Sequence, residues 1–174
     1  AQNTFRLSNH DDFDIAIGRR VLKRELIENG KIPVYSANVM EPFGYIDNLL
    51  IEDFSKPSVL WGIDGDWMVN YIPEEIPFYP TDHCGVLRVK NDNINAKYLA
   101  FILKKEGKFF GFSRTNRASM DRIQGVKITV PPVEDQIKAI AEIEKIEKQI
   151  EALQAELTAI PIQINTILKS ILKN

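Results

Sequence analysis

The sequence predicts an α+β protein: an irregular domain built on a mixed sheet, followed by one long coiled-coil helix. Two observations carry this reading. Up to Pro131-Pro132, apolar residues come in short runs broken by Gly, Pro, Asn and Asp. Beyond it there is no Gly, and Pro161 is the only proline. The 174 residues suffice for one domain of ordinary size plus an appendage. The expected division is 1–132 and 133–174.

Within the first part, residues 31–37, 58–63, 67–71, 85–89 and 126–130 read as strands. Turn signals separate them: Asn29-Gly30, Pro42, Gly44, Asp64-Gly65, Pro77 and Pro80. Residues 97–106 have helical spacing, with Tyr98, Phe101 and Ile102 on one side and Asn95 placed to cap them. Residues 113–123 suggest a second short helix. Residues 13–27 are ambiguous, with 20–27 read as helical.

The second part has the clearest pattern. Ile143, Ile146, Ile150, Leu153, Leu157, Ile160, Ile164, Ile167 and Ile171 alternate steps of 3 and 4, an unbroken seam over four heptads. A helix of that length cannot bury its stripe against itself, so the seam is expected to serve association. Pro161 removes one helical hydrogen bond at a cost of about 3 kcal/mol. Because the seam keeps its phase across it, the expectation is a kink or short break there, not the end of the helix. The alternative is two shorter helices packed on the globular domain.

Composition bounds the function classes. The chain is 44% hydrophobic and 26% charged, as soluble folded proteins are. No apolar run approaches the ~20 residues that span a bilayer, and no basic start leads into an apolar stretch. Cys84 is the single cysteine, which fits a reducing compartment. The expectation is a cytoplasmic protein with no membrane partner. The chain begins with Ala1, which leaves room for a fragment of a longer protein. Net charge is −2, but it is segregated. Residues 41–82 hold nine acids and one base, and residues 83–127 hold ten bases and three acids. A basic run also lies at Arg19, Arg20, Lys23 and Arg24. Such segregation can give a neutral protein one basic face, or simply solvated faces of unrelated elements.

At the junction, residues 126–136 read VKITVPPVEDQ, a strand stopped by two prolines that offer no ladder donor. Glu134 and Asp135 then suit the positive end of a helix dipole. An Ile-Thr-Val-Pro-Pro segment, then Gln136, then a heptad helix resembles the specificity subunits of type I restriction–modification systems. Residues 31–47 (KIPVYSANVMEPFGYID) resemble that family's strand, Tyr-Ser loop and Pro-Phe-Gly turn. Residues 114–123 (RTNRASMDRI) resemble its Arg-rich segment before the spacer helix. Asp135 stands where the family often has Glu. Full-length members have two recognition domains and two helices; this sequence has one of each.

The resemblance implies a DNA target-recognition domain and a spacer or dimerisation helix, without catalysis, cofactor or metal. It implies double-stranded DNA as ligand and methyltransferase and motor-endonuclease subunits as partners. It also implies a homodimer through antiparallel helices that reads a bipartite site. The residues suit this chemistry: Lys104, Lys105 and Lys108 can neutralise phosphates, and Arg114, Asn116 and Arg117 can pair with base edges. Tyr35, Ser36 and Asn38 follow a strand and either face DNA or form a turn. Phe109, Phe110 and Phe112 are expected in the core. Asp64 and Asp66, in WGIDGDW, read as an ordinary hairpin turn. Asp82-His83-Cys84 is the one cluster resembling nucleophile chemistry, but neighbours in a strand point to opposite faces. Three alternatives stand beside this reading: the end of a single-chain restriction–methylation enzyme, a coiled-coil adaptor without a DNA role, and a small Cys-dependent hydrolase.

Overall fold

The computed structural model describes residues 1–172. β1 (Asn3–Arg6) pairs antiparallel with β9 (Lys127–Val130), whose Ile128 and Val130 point inward while Lys127 and Thr129 face solvent. The larger sheet has the order β2 (Phe13–Ile17), β8 (Cys84–Val89), β5 (Ser58–Gly62), β6 (Val69–Ile72), each pair antiparallel. Every residue of β5 is buried, as a central strand covered on both faces requires. A third sheet sets β3 (Ile32–Tyr35) between β4 (Gly44–Ile46) and β7 (Tyr79–Pro80); β3 and β7 run parallel.

One helix covers the larger sheet. α1 (Ala96–Phe110) buries Leu99, Ala100, Leu103 and Gly107 along one face. Asn95 caps it as expected, its side chain accepting from the Lys97 and Tyr98 amides at 2.9 and 3.1 Å. It ends at Gly111 with φ 83°, the left-handed conformation that glycine adopts without penalty. The core centres on Trp61, Leu87, Leu99, Leu103, Ile123 and Ile128. The Trp61 indole donates to the Ala118 carbonyl at 2.9 Å. Gly85 lies flat against that ring, where a Cβ would come within 2.2 Å of it.

The structure corrects several expectations. Residues 20–27 form no α-helix. Only the 3₁₀ turn Lys23–Glu25 appears, closed by the Glu25 carboxylate accepting from the Leu22 amide at 2.6 Å. The second short helix is reduced to α2 (Met120–Gln124). Residues 113–119 instead coil, with Ser113 and Asn116 exchanging backbone bonds and the Ala118 amide bonding to Ile63 at 3.1 Å. Trp67 leaves the strand because its indole donates to the Lys104 carbonyl at 3.0 Å and fills the space that Gly107 leaves. Gly44, read as a turn, begins β4. Phe112 is buried, but Phe109 and Phe110 are exposed at the end of α1.

Residues 1–136 form one compact unit and residues from 137 onward another. Within the second unit, helical structure runs without a break. α3 (Val133–Leu172) passes through Pro161, so neither the short break nor a pair of helices forms. The helix continues through Pro161 although the proline withholds one hydrogen bond and Ile160 and Ile162 beside it are only moderate helix formers. At 40 residues the helix is about 60 Å long. Ile146, Ile150, Leu153, Leu157, Ile160, Ile164, Ile167 and Ile171 are exposed, Leu153 by 59%, and Ile143 is half-buried. Among the described residues, no helix is long and apolar enough to cross a membrane.

Candidate nucleic-acid interface

Four loops converge in the first unit, and hydrogen bonds join them. The β3–β4 loop contributes Ser36, whose hydroxyl accepts from Thr81 Oγ1 at 3.1 Å. Thr81, between β7 and β8, accepts in turn from the His83 amide at 3.2 Å. The His83 ring bonds Asp64 in the β5–β6 loop, and the same carboxylate pairs with Nε of Arg117 in the α1–α2 loop. Beside it, Asp66 takes Arg114 with two parallel bonds, Nε to Oδ1 at 2.8 Å and Nη2 to Oδ2 at 3.1 Å. A continuous polar network thus joins Ser36 to Arg117, two residues singled out from sequence and 81 positions apart.

The electrostatics follow from these partners. Burial alone would raise the Asp64 carboxyl, but hydrogen bonds from His83 and Arg117, and their charges, outweigh it and hold the group below its ordinary value. The hydrogen bond from Arg114, and then its charge, lowers Asp66 likewise. Both arginines remain accessible, with side chains 73% and 58% exposed. The charge segregation along the sequence is therefore partly cancelled in space. The acidic β5–β6 loop lies against the basic α1–α2 loop.

The remaining sequence candidates take distinct positions. Asn38 forms a turn, its carbonyl accepting from the Met40 and Glu41 amides at 3.0 and 3.2 Å. Asn116 is engaged at both ends: it donates to the Gly111 carbonyl at 3.0 Å and accepts from Arg122 at 2.5 Å. Tyr35 is half-buried, its ring edge-on to Phe78, and burial pushes its hydroxyl pKa upward. Lys104, Lys105 and Lys108 are exposed on α1, beside the Trp67 that links this helix to the β5–β6 loop. Sequence reasoning missed the roles of Asp64 and Asp66, because a hairpin turn accounted for both. It registered Arg19 and Arg20 only as part of a basic run, not as site residues. These exposed residues leave β2 beside the Thr81 loop, where the Arg19 amide bonds to Pro80 at 3.1 Å.

Nucleophile chemistry does not fit. Cys84 is buried, and desolvation pushes its thiol pKa up to about 12, so it stays protonated. The His83 ring is turned to Asp64 instead. Among the described residues no group of three or more His, Cys, Asp or Glu could hold a metal.

Comparison with known proteins identifies the family. The family model for the type I restriction modification DNA specificity domain matches residues 7–161. The chain belongs to this family. The MpnII type I restriction enzyme specificity subunit of Mycoplasma pneumoniae is 32% identical over 136 residues, 76% of this chain and 40% of that protein. The type I restriction–modification S subunit from M. genitalium has the same fold, with a TM-score of 0.68 at 19% identity, covering 97% of this chain and 45% of its own. The HsdS subunit from Thermoanaerobacter tengcongensis gives 0.63 at 17% identity, covering 87% and 39%. The chain thus spans less than half the length of these relatives.

Proposed function

We propose that the chain is a non-catalytic DNA specificity component that recognises one half of a bipartite site. In this reading residues 1–132 are the recognition domain, and residues 133–174 are the spacer and dimerisation helix. The observation that carries it is the four-loop network, which presents Arg114 and Arg117 side by side on a chain of the specificity family. Ser36, Asn38 and Tyr35 border this surface, and Asn116 shapes its loop. Lys104, Lys105 and Lys108 supply charge for phosphates. Two copies pair their α3 seams antiparallel, so helix length sets the distance between half-sites. Methyltransferase and motor-endonuclease subunits provide the chemistry, in the cytoplasm where the DNA lies.

Methylation mapping tests this. The chain with its cognate methyltransferase should methylate one split, symmetric motif; methylation without sequence preference would refute the reading. A second expectation concerns the arginines. Where Arg114 or Arg117 meets a base edge, its replacement by Ala should weaken DNA binding by about tenfold or more. Where it meets a phosphate, the salt slope should instead become shallower by about 0.9. Exposed ion pairs contribute little to stability, so the domain should keep its unfolding midpoint. Unchanged affinity of the double Ala variant at low salt would count against it.

A further inference from the structure

Both exposed arginines of the network are held along the same edge. A guanidinium carries five N–H donors on two usable edges: a side edge of Nε and Nη2, and an end edge of Nη1 and Nη2. Asp66 occupies the side edge of Arg114 with two bonds, at 2.8 and 3.1 Å. Asp64 pairs with Arg117 through Nε, again on the side edge. In both cases the end edge stays open, and it is the end edge that can meet the O6 and N7 acceptors of guanine.

We propose that Asp64 and Asp66 are positioning residues that set sequence specificity, by fixing the Arg117 and Arg114 side chains end-on for base readout and withholding them from phosphates. This rests on the DNA-recognition reading above. Three further features support it. The two carboxylates lie in one short loop between adjacent antiparallel strands, anchored by the Ile63 amide bonding to the His83 carbonyl at 3.0 Å and by the Ala118 amide bonding to the Ile63 carbonyl at 3.1 Å. The positioners and the arginines therefore share one rigid frame. His83 bonds Asp64 and fixes that carboxylate in turn. And cations suited to phosphates stand elsewhere: Arg19, Arg20, Lys23 and Arg24 are exposed, and none is ion-paired among the described residues.

The chemistry separates two roles of charge. An unpaired arginine on a flexible side chain attracts any phosphate, which raises affinity for all sequences alike. An arginine neutralised along one edge loses most of that general attraction and keeps a directed donor pair, which rewards one base over the others.

The test uses the full chain co-produced with its cognate methyltransferase, read by methylation mapping on a random-sequence plasmid pool. Binding to a random 40-bp duplex is measured in parallel across salt. The variants are Asp66→Asn, Asp64→Asn, Arg114→Ala and the double variant Asp66→Asn with Arg114→Ala. Asp66→Asn should make one base pair of the motif degenerate, with discrimination there falling about tenfold. The random duplex should bind more tightly, with a salt slope steeper by about 0.9. Arg114→Ala should degrade the same base pair, and the double variant should be no worse than Arg114→Ala, because the carboxylate acts through the arginine. A merely structural role for Asp66 would lower methylation everywhere without changing the motif, and that outcome overturns the proposal. So does tighter binding with an intact motif, which would make the carboxylates simple competitors of DNA. If the unmodified chain directs no sequence preference at all, the DNA-recognition reading falls, and this inference with it.

Discussion

Leu153→Asp should turn an associated protein into a monomer. Leu153 is the fourth of the nine seam residues, between Ile150 and Leu157, and all three side chains are exposed on the isolated helix. Burying a leucine removes apolar area worth about 1.5–3 kcal/mol, and a seam of this length repeats that gain at each position. An aspartate there forfeits the gain and must also be desolvated without a partner. In a two-fold symmetric pair the change is made twice. Sedimentation equilibrium should give twice the 19.9 kDa chain mass for the parent at micromolar concentration and 19.9 kDa for the variant. Hydrogen exchange in residues 1–136 should be unaltered, because that unit has its own core. The variant should also lose the second half of any methylation motif. A monomeric parent over the whole concentration range would remove the homodimer from the proposal.

The legibility of this protein follows from the range over which each signal acts. The α3 seam is written in steps of 3 and 4 along one helix, so periodicity alone locates it. Asn95 and Gly111 bracket α1 through local chemistry, and the cap is legible for the same reason. The strands with clean punctuation, β3, β5 and β8, are legible to within a residue or two. β1 is not, because its four residues gain their order only from Lys127–Val130, more than a hundred positions away. Residues 113–119 mislead for a related reason. Arg114, Arg117 and Ala118 suit a helix, but Ser113, Thr115, Asn116 and Ser119 favour caps and turns, and the loop obtains Asp64, Asp66 and Ile63 as partners from a distant hairpin.

The candidate site shows the same limit more sharply. Arginines in a basic stretch announce themselves, and the family motif adds Tyr35, Ser36 and Asn38. Nothing local says that two aspartates some fifty positions upstream will bind the arginines' side edges. The acidic and basic segments are visible in sequence as opposite charge balances. Their meeting in space is what turns a diffuse basic patch into two oriented side chains. A charge tally overstates the positive field here and understates its directionality.

Gln136 offers the largest effect on stability from a single polar side chain. It is the junction residue that carried part of the family resemblance, and it is 0% exposed. Its carbonyl accepts from the Asn95 amide at 2.9 Å; its amide donates to the Asn93 and Pro131 carbonyls at 2.9 and 2.7 Å. One side chain thus joins the end of β9 to the loop that caps α1. Gln136→Leu keeps nearly the same volume but orphans a buried N–H and weakens two carbonyls. At about 1–3 kcal/mol for each unsatisfied buried group, the loss should be roughly 2–4 kcal/mol, a large share of the ~5–15 kcal/mol that holds a domain together. Gln136→Glu separates polarity from shape. It keeps the acceptor for Asn95 but sets a carboxylate against two carbonyl oxygens, which favours the protonated form in the folded state. The folded pKa then lies above the unfolded value of about 4.3. The native contribution is therefore full below that value and is lost as pH rises through the folded pKa. In urea unfolding, the gap between Gln136→Glu and the parent should narrow as pH falls toward ~4, whereas the Gln136→Leu gap should stay constant. A Gln136→Leu protein as stable as the parent would mean that water replaces all three bonds, and the junction would then owe its order to the prolines and the strand pairing alone.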